Sequence, residues 1–357
     1  MARRPSVAGS QPARTRVEAP IFHAIPWYVA RVKLSGHLWT LGPSLRHKAR
    51  PETPPPATAW STRLHDPVVG EVVLRGALHR ALHRAPSPAD ELCVLVHGLG
   101  GSMDSHYVIR AARTAVAAGI DCLRLDLRGA DRSGADVYHA ALTADLEAAL
   151  ASPALADYRR LYLLGFSLGG HVSLCHATAP TDPRLRAVAS VCSPLDLTAS
   201  GLAIDHPRAV VYRGHVLQGL KEIYAATARH RPVPTPLASV LRVTTIRAWD
   251  RLVVVPRFGF VSVDDYYHRT SVGPRLACAQ VPTLVLSARA DPMIPAATIA
   301  PYVQHLPALV THRWIDRGGH VGFPADLRLG LEDTTEAGTP AGPGLAAQAL
   351  AWLRRQS

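Results

Sequence analysis

The chain has 357 residues, of which 39 are Lys or Arg and 27 are Asp or Glu, giving a formal net charge of +12. Hydrophobic residues make up 48% and charged residues 18% of the chain, which excludes global disorder and supplies enough apolar side chains for a large core. No uninterrupted apolar run reaches the roughly 18 residues that a membrane span needs.

The positive charge is concentrated at the N-terminus. Residues 1–50 contain nine Lys or Arg and a single acid, Glu18, so they carry +8 of the total +12. Because the rest of the chain is nearly balanced, its composition argues against a nucleic-acid-binding surface. The basic residues predict a solvated arm or, as the alternative, a segment that an anionic membrane surface attracts.

Two features indicate the compartment. The N-terminus has no apolar stretch of the kind found in a secretory signal. The chain has five cysteines, an odd and small number that argues against a disulfide framework. We therefore expect a cytoplasmic protein, with peripheral membrane contact as an additional possibility.

The first sixty residues differ from the rest of the chain. Residues 21–50 are too apolar for a free tail, so we expect them to pack on the main body or to contact a membrane. The sequence PETPPPAT at 51–58 predicts a stiff, polyproline-like connection. We predict an N-terminal extension over residues 1–60, made of a basic arm and an apolar segment, followed by one domain over 61–357.

From residue 71, short apolar runs alternate with helical patterns. Strands are predicted at 71–76, 91–98, 122–126, 160–167, 186–192, 282–288 and 309–316, and helices at 104–118, 140–151, 168–178 and 344–355. Continuous apolar strands that alternate with helices predict an α/β fold, in which a mostly parallel sheet carries helices on both faces. Residues 198–275 break the alternation, so we expect them to form a cap inserted between two strands.

The strongest chemical signal is the sequence GFSLGG at 165–170, where a predicted strand meets a predicted helix. A serine at such a sharp turn projects its hydroxyl above the sheet, as a nucleophile requires. The residues two before and two after the serine must be small because strand and helix nearly touch there. Gly165 and Gly169 meet this requirement, so Ser167 is the candidate nucleophile.

A second signal is the sequence HGLGGS at 97–102, which also follows a predicted strand. A glycine-rich turn can direct a backbone N–H at an oxyanion, and we assign that role to the amides of Leu99 and Leu168. The alternative is a plain or phosphate-binding glycine turn. The segment lacks the spacing and the lysine of a P-loop, and it does not match G-x-G-x-x-G.

A nucleophilic serine needs a base, and the base needs an orienting acid. In this arrangement the chain order is serine, acid, histidine. Asp291 and His320 each follow a predicted strand, at the sheet edge where open α/β sheets build their sites. Asp196 is the alternative acid, whereas Asp316 precedes the glycines that turn toward His320 and is a poor candidate.

The other histidines and the cysteines do not predict a metal site. His79 and His83 have an i, i+4 spacing without the glutamate of a metalloprotease helix, and His171 and His176 diverge on their helix. Cys93, Cys122, Cys175 and Cys192 lie in or beside apolar elements, where buried structural thiols are expected. We therefore expect neither a metal nor a cofactor.

These motifs together resemble the α/β-hydrolase superfamily, and within it the YheT-like subgroup of esterases. HGLGGSMDSHY, GFSLGG, SPLDL, ARADPMIP and GGHVGF occur in the family order, and GHLWTLGPSLRH at 36–47 is similar to the N-terminal motif of the subgroup. The resemblance covers residues 22 to the C-terminus. It implies Ser167 as nucleophile, Asp291 as acid and His320 as base.

The resulting hypothesis is a serine hydrolase that cleaves carboxylic esters, either short-chain or acylglycerol-like, through an acyl-enzyme. An acyltransferase with the same triad and a non-catalytic lipid-binding or interaction protein on the same fold are the alternatives. Seven apolar residues of the predicted cap are candidates for an acyl pocket, or else for the cap's own core. They are Leu237, Val240, Leu241, Val253, Val254, Phe258 and Phe260.

Overall fold

Eight strands form one twisted sheet in the computed structural model, which describes residues 34–81, 90–179, 182–331 and 342–356. The strands are β1 (Thr58–Asp66), β2 (Gly70–His79), β3 (Glu91–Val96), β4 (Asp121–Asp126), β5 (Arg160–Phe166), β6 (Leu185–Val191), β7 (Thr283–Ala288) and β8 (Val310–Ile315). Their order is β1-β2-β4-β3-β5-β6-β7-β8. Only the β1–β2 and β2–β4 pairs are antiparallel, which confirms the predicted mostly parallel sheet.

Helices connect the strands and cover the sheet. They are α1 (Leu34–Ala49), α2 (His106–Ala117), α3 (Ala144–Leu150), α4 (Leu168–Ala177), α5 (Leu197–Asp205), α6 (Val210–His230), α7 (Leu237–Leu241), α8 (Ile246–Trp249), α9 (Val255–Phe258), α10 (Val263–Thr270), α11 (Ala296–Ile299) and α12 (Leu345–Arg354). A π-helical turn, Asp250–Val254, joins α8 to α9. Helices α5 to α10, which we call the cap, all lie between β6 and β7.

The core lies on both faces of the sheet, as β3 illustrates. Leu92 and Val94 point into one buried cluster, whereas Cys93 and Leu95 point into the other. All six residues of this strand are buried. Successive side chains of a strand point to opposite faces, so a strand covered on both sides must be apolar throughout. This explains why the central strands are visible in the sequence as uninterrupted apolar runs.

A buried charge network attaches the cap to the sheet. The Arg128 guanidinium contacts Asp66 at 2.6 Å and Asp145 at 2.7 Å, and Arg257 of α9 contacts Asp66 at 3.0 Å and also Asp136. Less than a tenth of each of these residues is exposed. Removing one partner would leave an uncompensated buried charge, which is strongly destabilising. The network therefore fixes α9 to the β1–β2 turn and to the loop after β4.

The structure tests the expectations about the N-terminus and about membrane contact only in part. Residues 1–33, which include the basic arm, lie outside the described residues, and so does His83. Among the described helices, none combines the length and the apolar character that crossing a bilayer requires. The boundary of the extension at residue 60 stays a prediction.

Candidate active site

Ser167 lies at the turn between the end of β5 at Phe166 and the start of α4 at Leu168. Its φ of 52° and ψ of −122° form a conformation that a non-glycine residue adopts only when its surroundings hold it there. A Cβ at Gly165 would lie 2.4 Å from the carbonyl oxygen of Gly169, so the close approach predicted from the motif is present. The turn presents the serine side chain above the sheet edge.

Three side chains from separate loops meet at this edge. The ring of His320 lies with Nε2 2.9 Å from the Ser167 hydroxyl oxygen and with Nδ1 2.8 Å from Oδ2 of Asp291. The other carboxylate oxygen of Asp291 accepts the backbone N–H groups of Met293 and Ile294, at 2.8 and 2.9 Å. The structure thus brings together all three residues named from the sequence, and it holds the acid in one orientation.

The two other acids considered have different partners. Asp196 caps the N-terminus of α5, where its carboxylate accepts the N–H of Ala199 at 2.9 Å and the hydroxyl of Tyr302 at 2.8 Å. Asp316 is exposed and forms an ion pair with Arg289 at 3.0 Å. Neither carboxylate forms a hydrogen bond or an ion pair with the ring of His320.

Two tyrosines hold the glycine-rich loop after β3. The hydroxyl of Tyr107 accepts the N–H of Gly98 at 2.9 Å, and the hydroxyl of Tyr138 accepts the N–H of Gly100 at 2.8 Å. The amide of Leu99 lies between these two paired amides. It has no protein acceptor among the described residues, which leaves it available to a ligand.

The second amide assigned from the sequence belongs to Leu168, the first residue of α4. The first N–H groups of a helix have no acceptor within the helix, and the helix dipole makes this end attractive to negative charge. Leu99, Leu168 and Ser167 all line the same cavity. The arrangement is suited to binding an oxyanion formed at a carbon that Ser167 attacks.

Helix α1 contacts the loops that carry the acid and the histidine. The hydroxyl of Thr40 accepts the backbone N–H of His320 at 2.8 Å and donates to the carbonyl of Gly36 at 2.7 Å. A Cβ at Gly36 would lie 1.9 Å from the carbonyl oxygen of Ala290, and one at Gly319 would lie 2.2 Å from that of Gly36. Residues 34–49 therefore pack on the body, and the sequence analysis did not identify Thr40.

A cavity of about 710 Å³ opens at Ser167 and extends under the cap. Its walls come from α1, the loop after β3, and cap helices α5, α6, α8 and α10. Of the seven apolar cap residues proposed above, Val254 lines this cavity. The other six do not, and five of them belong to or pack against the buried cluster under the cap, so most of the set forms the cap's core.

Asp126 is a polar group of the site that the sequence analysis missed. It ends β4, lines the cavity and accepts the N–H of Met103 at 2.6 Å. Burial raises the pKa of its carboxyl group to about 7. Burial also lowers the pKa of the neighbouring His97 to about 4, so this imidazole is neutral at physiological pH. The position of Asp126 at the end of a predicted strand is the sequence feature that marks it, although Asp126 precedes Ser167 in the chain.

The potential metal ligands have other partners. Cys192, Asp291 and His320 present ligand atoms within 4.8 Å of one another. Both ring nitrogens of His320 are already paired, and burial raises the pKa of the Cys192 thiol well above its usual value. A thiol binds metal as the thiolate, so the donor set does not fit a metal ion.

Two of the histidines noted in the sequence, His79 and His171, form hydrogen bonds within the protein. His79 accepts a hydrogen bond from the guanidinium of Arg124 at 2.9 Å, and the ring of His171 lies 2.7 and 2.8 Å from two backbone carbonyl oxygens. Both rings are buried. These contacts account for the two side chains without a metal ion.

Comparisons with known proteins identify relatives. A sequence profile of the alpha/beta hydrolase family matches residues 93–328. "Putative esterase YheT" of Escherichia coli is 30% identical over 242 residues, which are 64% of this chain and 69% of the relative. "Putative esterase slr0264" of Synechocystis is 27% identical over 300 residues, 74% of this chain and 80% of the relative. Monoacylglycerol lipase of Saccharomyces cerevisiae is 23% identical over 251 residues, 67% of this chain and 56% of the relative.

Proposed function

Because the chain belongs to the alpha/beta hydrolase family, we propose that it is a serine hydrolase of carboxylic esters. The observation that carries this proposal is the continuous hydrogen-bonded path from Ser167 through His320 to Asp291. A serine hydroxyl is a weak nucleophile by itself, and a histidine within hydrogen-bonding distance activates it. The relatives described above, two named as esterases and one as a lipase, support an ester as substrate.

The proposed reaction has two steps. Ser167 attacks the ester carbonyl while His320 takes its proton, and the amides of Leu99 and Leu168 stabilise the oxyanion. The histidine then donates the proton to the leaving alcohol, which produces the acyl-enzyme. A water molecule, deprotonated by His320, releases the acid and regenerates Ser167. Asp291 fixes the imidazole tautomer and stabilises its charged form throughout.

The cavity supports a proposal for the substrate class. At about 710 Å³, the cavity can hold a medium-sized ester, and its walls include both apolar and polar side chains. We propose esters of fatty acids, including acylglycerols, as the substrates. No cofactor or metal takes part in the proposed steps, since His320 and the two amides supply the proton transfer and the charge stabilisation.

We also propose a cytoplasmic location with weak peripheral membrane contact. All five cysteines are free, and four of them are buried, which suits a reducing compartment. Helix α1 exposes Leu34, Leu38 and Leu45, and its last turn contains Arg46, His47 and Lys48. An apolar helix face with neighbouring positive charge favours the surface of an anionic bilayer.

A fluorophosphonate probe and a panel of p-nitrophenyl esters test the function. We expect the wild-type protein to react covalently with the probe and to hydrolyse the esters, whereas Ser167→Ala does neither. Equal labelling of wild type and Ser167→Ala would contradict the proposal. Product analysis with a dilute competing alcohol separates hydrolysis from acyl transfer, because a hydrolase passes most of the acyl group to water whereas a transferase passes most of it to the alcohol.

A further inference from the structure

Arg132 lies beside the glycine-rich loop in a strained backbone conformation. Its φ of 60° falls in the left-handed region, which is unfavourable for a residue with a Cβ and which glycine adopts readily. Such strain persists only where the surroundings hold it, and it is found often at functional sites. The side chain lines the cavity, and about a third of it is exposed. A strained arginine in the cavity wall indicates that its guanidinium has a role there.

The guanidinium of Arg132 lies against the carbonyl groups of the loop. Its nitrogen atoms are 3.3 Å from the carbonyl oxygen of Gly100 and 3.5 Å from that of Gly101. It also contacts the carbonyl oxygen of Ala130, which keeps the side chain folded over the loop. At these distances the full positive charge attracts both carbonyl dipoles of the loop. The charge therefore holds the direction of the peptide group between Gly100 and Gly101.

Two peptide groups connect this charge to the proposed oxyanion donor. The first consists of the carbonyl of Gly100 and the N–H of Gly101, and this N–H donates to the carbonyl oxygen of Gly98 at 3.1 Å. The second consists of the carbonyl of Gly98 and the N–H of Leu99. Hydrogen bonds in a chain polarise one another. The charge of Arg132 thus makes the Leu99 N–H a stronger donor and also fixes its direction.

The Gly98 end of this chain lies next to the nucleophile. Nε2 of His97 accepts the N–H of Leu127 at 3.2 Å, so the proton of the neutral ring is on Nδ1, which donates to the carbonyl oxygen of Gly98 at 2.8 Å. A Cβ at Gly98 would lie 3.0 Å from the Cβ of Ser167. The second peptide group is therefore held in place beside the hydroxyl that attacks the ester.

The cap contacts the same loop. Gly219 of α6 packs so closely on the carbonyl oxygen of Gly100 that a Cβ there would clash with it. Glu222, on the next turn of α6, forms an ion pair with Arg132 at 3.3 Å, and 47% of the Glu222 side chain is exposed. Exposed ion pairs contribute little free energy. We therefore assign the role of Arg132 to its contacts with the loop carbonyls.

We propose that Arg132 is a positioning residue for the oxyanion, and that it holds and polarises the Leu99 amide through the two peptide groups. The inference rests on the proposed ester hydrolysis, and it adds to that reaction a cation that acts on the reacting atoms only through the backbone. The oxyanion exists in the transition state and not in the bound ester. A weaker donor therefore lowers kcat and leaves KM nearly unchanged.

Arg132→Gly tests the proposal because it removes the guanidinium and relieves the strained backbone. The kcat for a p-nitrophenyl ester should fall about thirtyfold, with KM within about twofold of the wild-type value. The relief of strain offsets the lost contacts, so Tm should stay within about 4 °C of the wild type. A merely structural arginine would give no loss of kcat in a variant that remains folded.

The matched controls make the same change at a second arginine and remove the ion pair. Arg231 donates to the carbonyl oxygens of Val69 at 2.9 Å and Glu71 at 2.6 Å, outside the cavity wall. Because a lysine ammonium cannot span two carbonyl oxygens as a guanidinium does, Arg132→Lys should lower kcat about fivefold. Arg231→Lys should keep the wild-type kcat. Glu222→Gln should keep kcat within about twofold, since the ion pair is exposed.

An aliphatic trifluoromethyl ketone measures the binding of the oxyanion itself. The hydroxyl oxygen of Ser167 adds to the carbonyl carbon, the proton passes to His320, and the carbonyl electron pair moves to the oxygen that the two amides face. This adduct resembles the tetrahedral intermediate, so its inhibition constant should rise about thirtyfold in Arg132→Gly, as kcat/KM falls. The matching trifluoromethyl alcohol forms no adduct and should bind both proteins equally.

Three outcomes would overturn the proposal. A rise in KM at unchanged kcat in Arg132→Gly would mean that the guanidinium binds the substrate directly. Equal losses of kcat in Arg132→Lys and Arg231→Lys would show a general effect of losing an arginine. A loss in Glu222→Gln as large as that in Arg132→Gly would assign the effect to the ion pair with the cap.

If the wild type neither hydrolyses esters nor reacts with fluorophosphonate, the proposed function fails instead. The positioning of the loop by Arg132 is then judged by hydrogen exchange of residues 98–102. The Gly101 amide should exchange about tenfold faster in Arg132→Gly than in the wild type, and at the wild-type rate in Arg231→Lys. An unchanged rate in Arg132→Gly overturns the positioning role.

Discussion

The backbone N–H of His320 donates to the hydroxyl of Thr40 at 2.8 Å, across 280 positions of the sequence. The next residue, Val321, has a φ of 52°, which is strained for a β-branched side chain. A loop that holds the candidate base in such a conformation needs external support, and Thr40 supplies it from helix α1. The N-terminal helix is thus part of the site rather than an appendage.

Thr40→Val should therefore impair the proposed hydrolysis although Thr40 does not contact Ser167. The variant leaves the buried N–H of His320 unpaired, which should lower the free energy of unfolding by about 1–3 kcal/mol. A small displacement of the imidazole should reduce kcat by about tenfold to a hundredfold with little effect on KM. Both quantities are measured below the Tm of the variant, by ester hydrolysis and by the rate of fluorophosphonate labelling.

Thr40→Ser is the matched control, because it retains the hydroxyl that accepts the N–H of His320. It should keep most of the wild-type kcat. A loss of kcat in Thr40→Ser together with a wild-type kcat in Thr40→Val would mean that the methyl group, and therefore packing, is what matters at this position, because valine keeps the methyl group and lacks the hydroxyl.

The choice between the two acids can be tested by one chemical change at two positions. Asp291→Asn should lower kcat about ten-thousandfold, because the amide favours the wrong tautomer of the His320 ring. Asp196→Asn should be close to wild type in both kcat and Tm, because asparagine caps a helix as well as aspartate does. A large loss of kcat in Asp196→Asn with a mild effect of Asp291→Asn would reverse the assignment.

The sequence predicts those parts of the molecule that a short, continuous stretch of residues determines. The central strands are apolar because both of their faces are buried, and the motifs around Ser167 and His320 follow strand ends in a fixed order. Strand β1 was not predicted. It lies at the sheet edge, and most of its residues are exposed or half-buried, so no continuous apolar run marks it.

Other parts depend on contacts between distant segments, which a single sequence does not display. Helix α1 contains Gly36 and Pro43, residues that are poor helix formers, and its position depends on packing against the loops of the site. The ion pair of Arg128 with Asp66 joins residues 62 positions apart, and the ion pair of Arg257 with Asp136 joins residues 121 positions apart. Neither arrangement has a spacing rule from which it could be predicted.

The tyrosines behind the glycine-rich loop give a third prediction. Tyr138→Phe removes the acceptor of the Gly100 N–H and should loosen the Leu99 amide that lies before it. Since this amide is proposed to act on the oxyanion, kcat should fall about tenfold while KM changes little. Tyr158→Phe is the control, because its buried hydroxyl bonds to Asp121, outside the cavity wall.

Tyr138→Phe and Tyr158→Phe should lower Tm by similar amounts, and only Tyr138→Phe should lower kcat. This result would assign the loss of kcat to the glycine-rich loop after β3. Comparable losses of kcat in both variants would instead point to global destabilisation.

The basic N-terminus gives a fourth prediction. Residues 1–50 carry a net charge of +8, so the protein should bind weakly to liposomes that contain anionic lipid, and added salt should weaken that binding. Co-sedimentation at two salt concentrations measures it, with neutral liposomes as the control. Deleting residues 1–20 should reduce the binding to anionic liposomes. Equal binding after the deletion would show that the basic arm does not mediate it.

The buried Asp250 gives a prediction about pH and stability. Burial raises the pKa of its carboxyl group to about 7, with a further rise from the charge of Asp205, whereas Tyr267 and Arg247 act in the opposite direction. Between about pH 4 and pH 7 the folded protein keeps this proton and the unfolded chain releases it. The free energy of unfolding should therefore fall as the pH rises through this range, and Asp250 alone accounts for a fall of about 4 kcal/mol.

Asp250→Asn removes this titration while keeping the size of the side chain. Relative to the wild type, the variant should gain stability steadily from pH 4 to pH 7, by up to about 4 kcal/mol. Urea unfolding at several pH values measures the difference, and Ser152→Ala, which removes no titratable group, should keep the wild-type slope. A constant difference between Asp250→Asn and wild type over this range would mean that Asp250 is ionised in the folded protein.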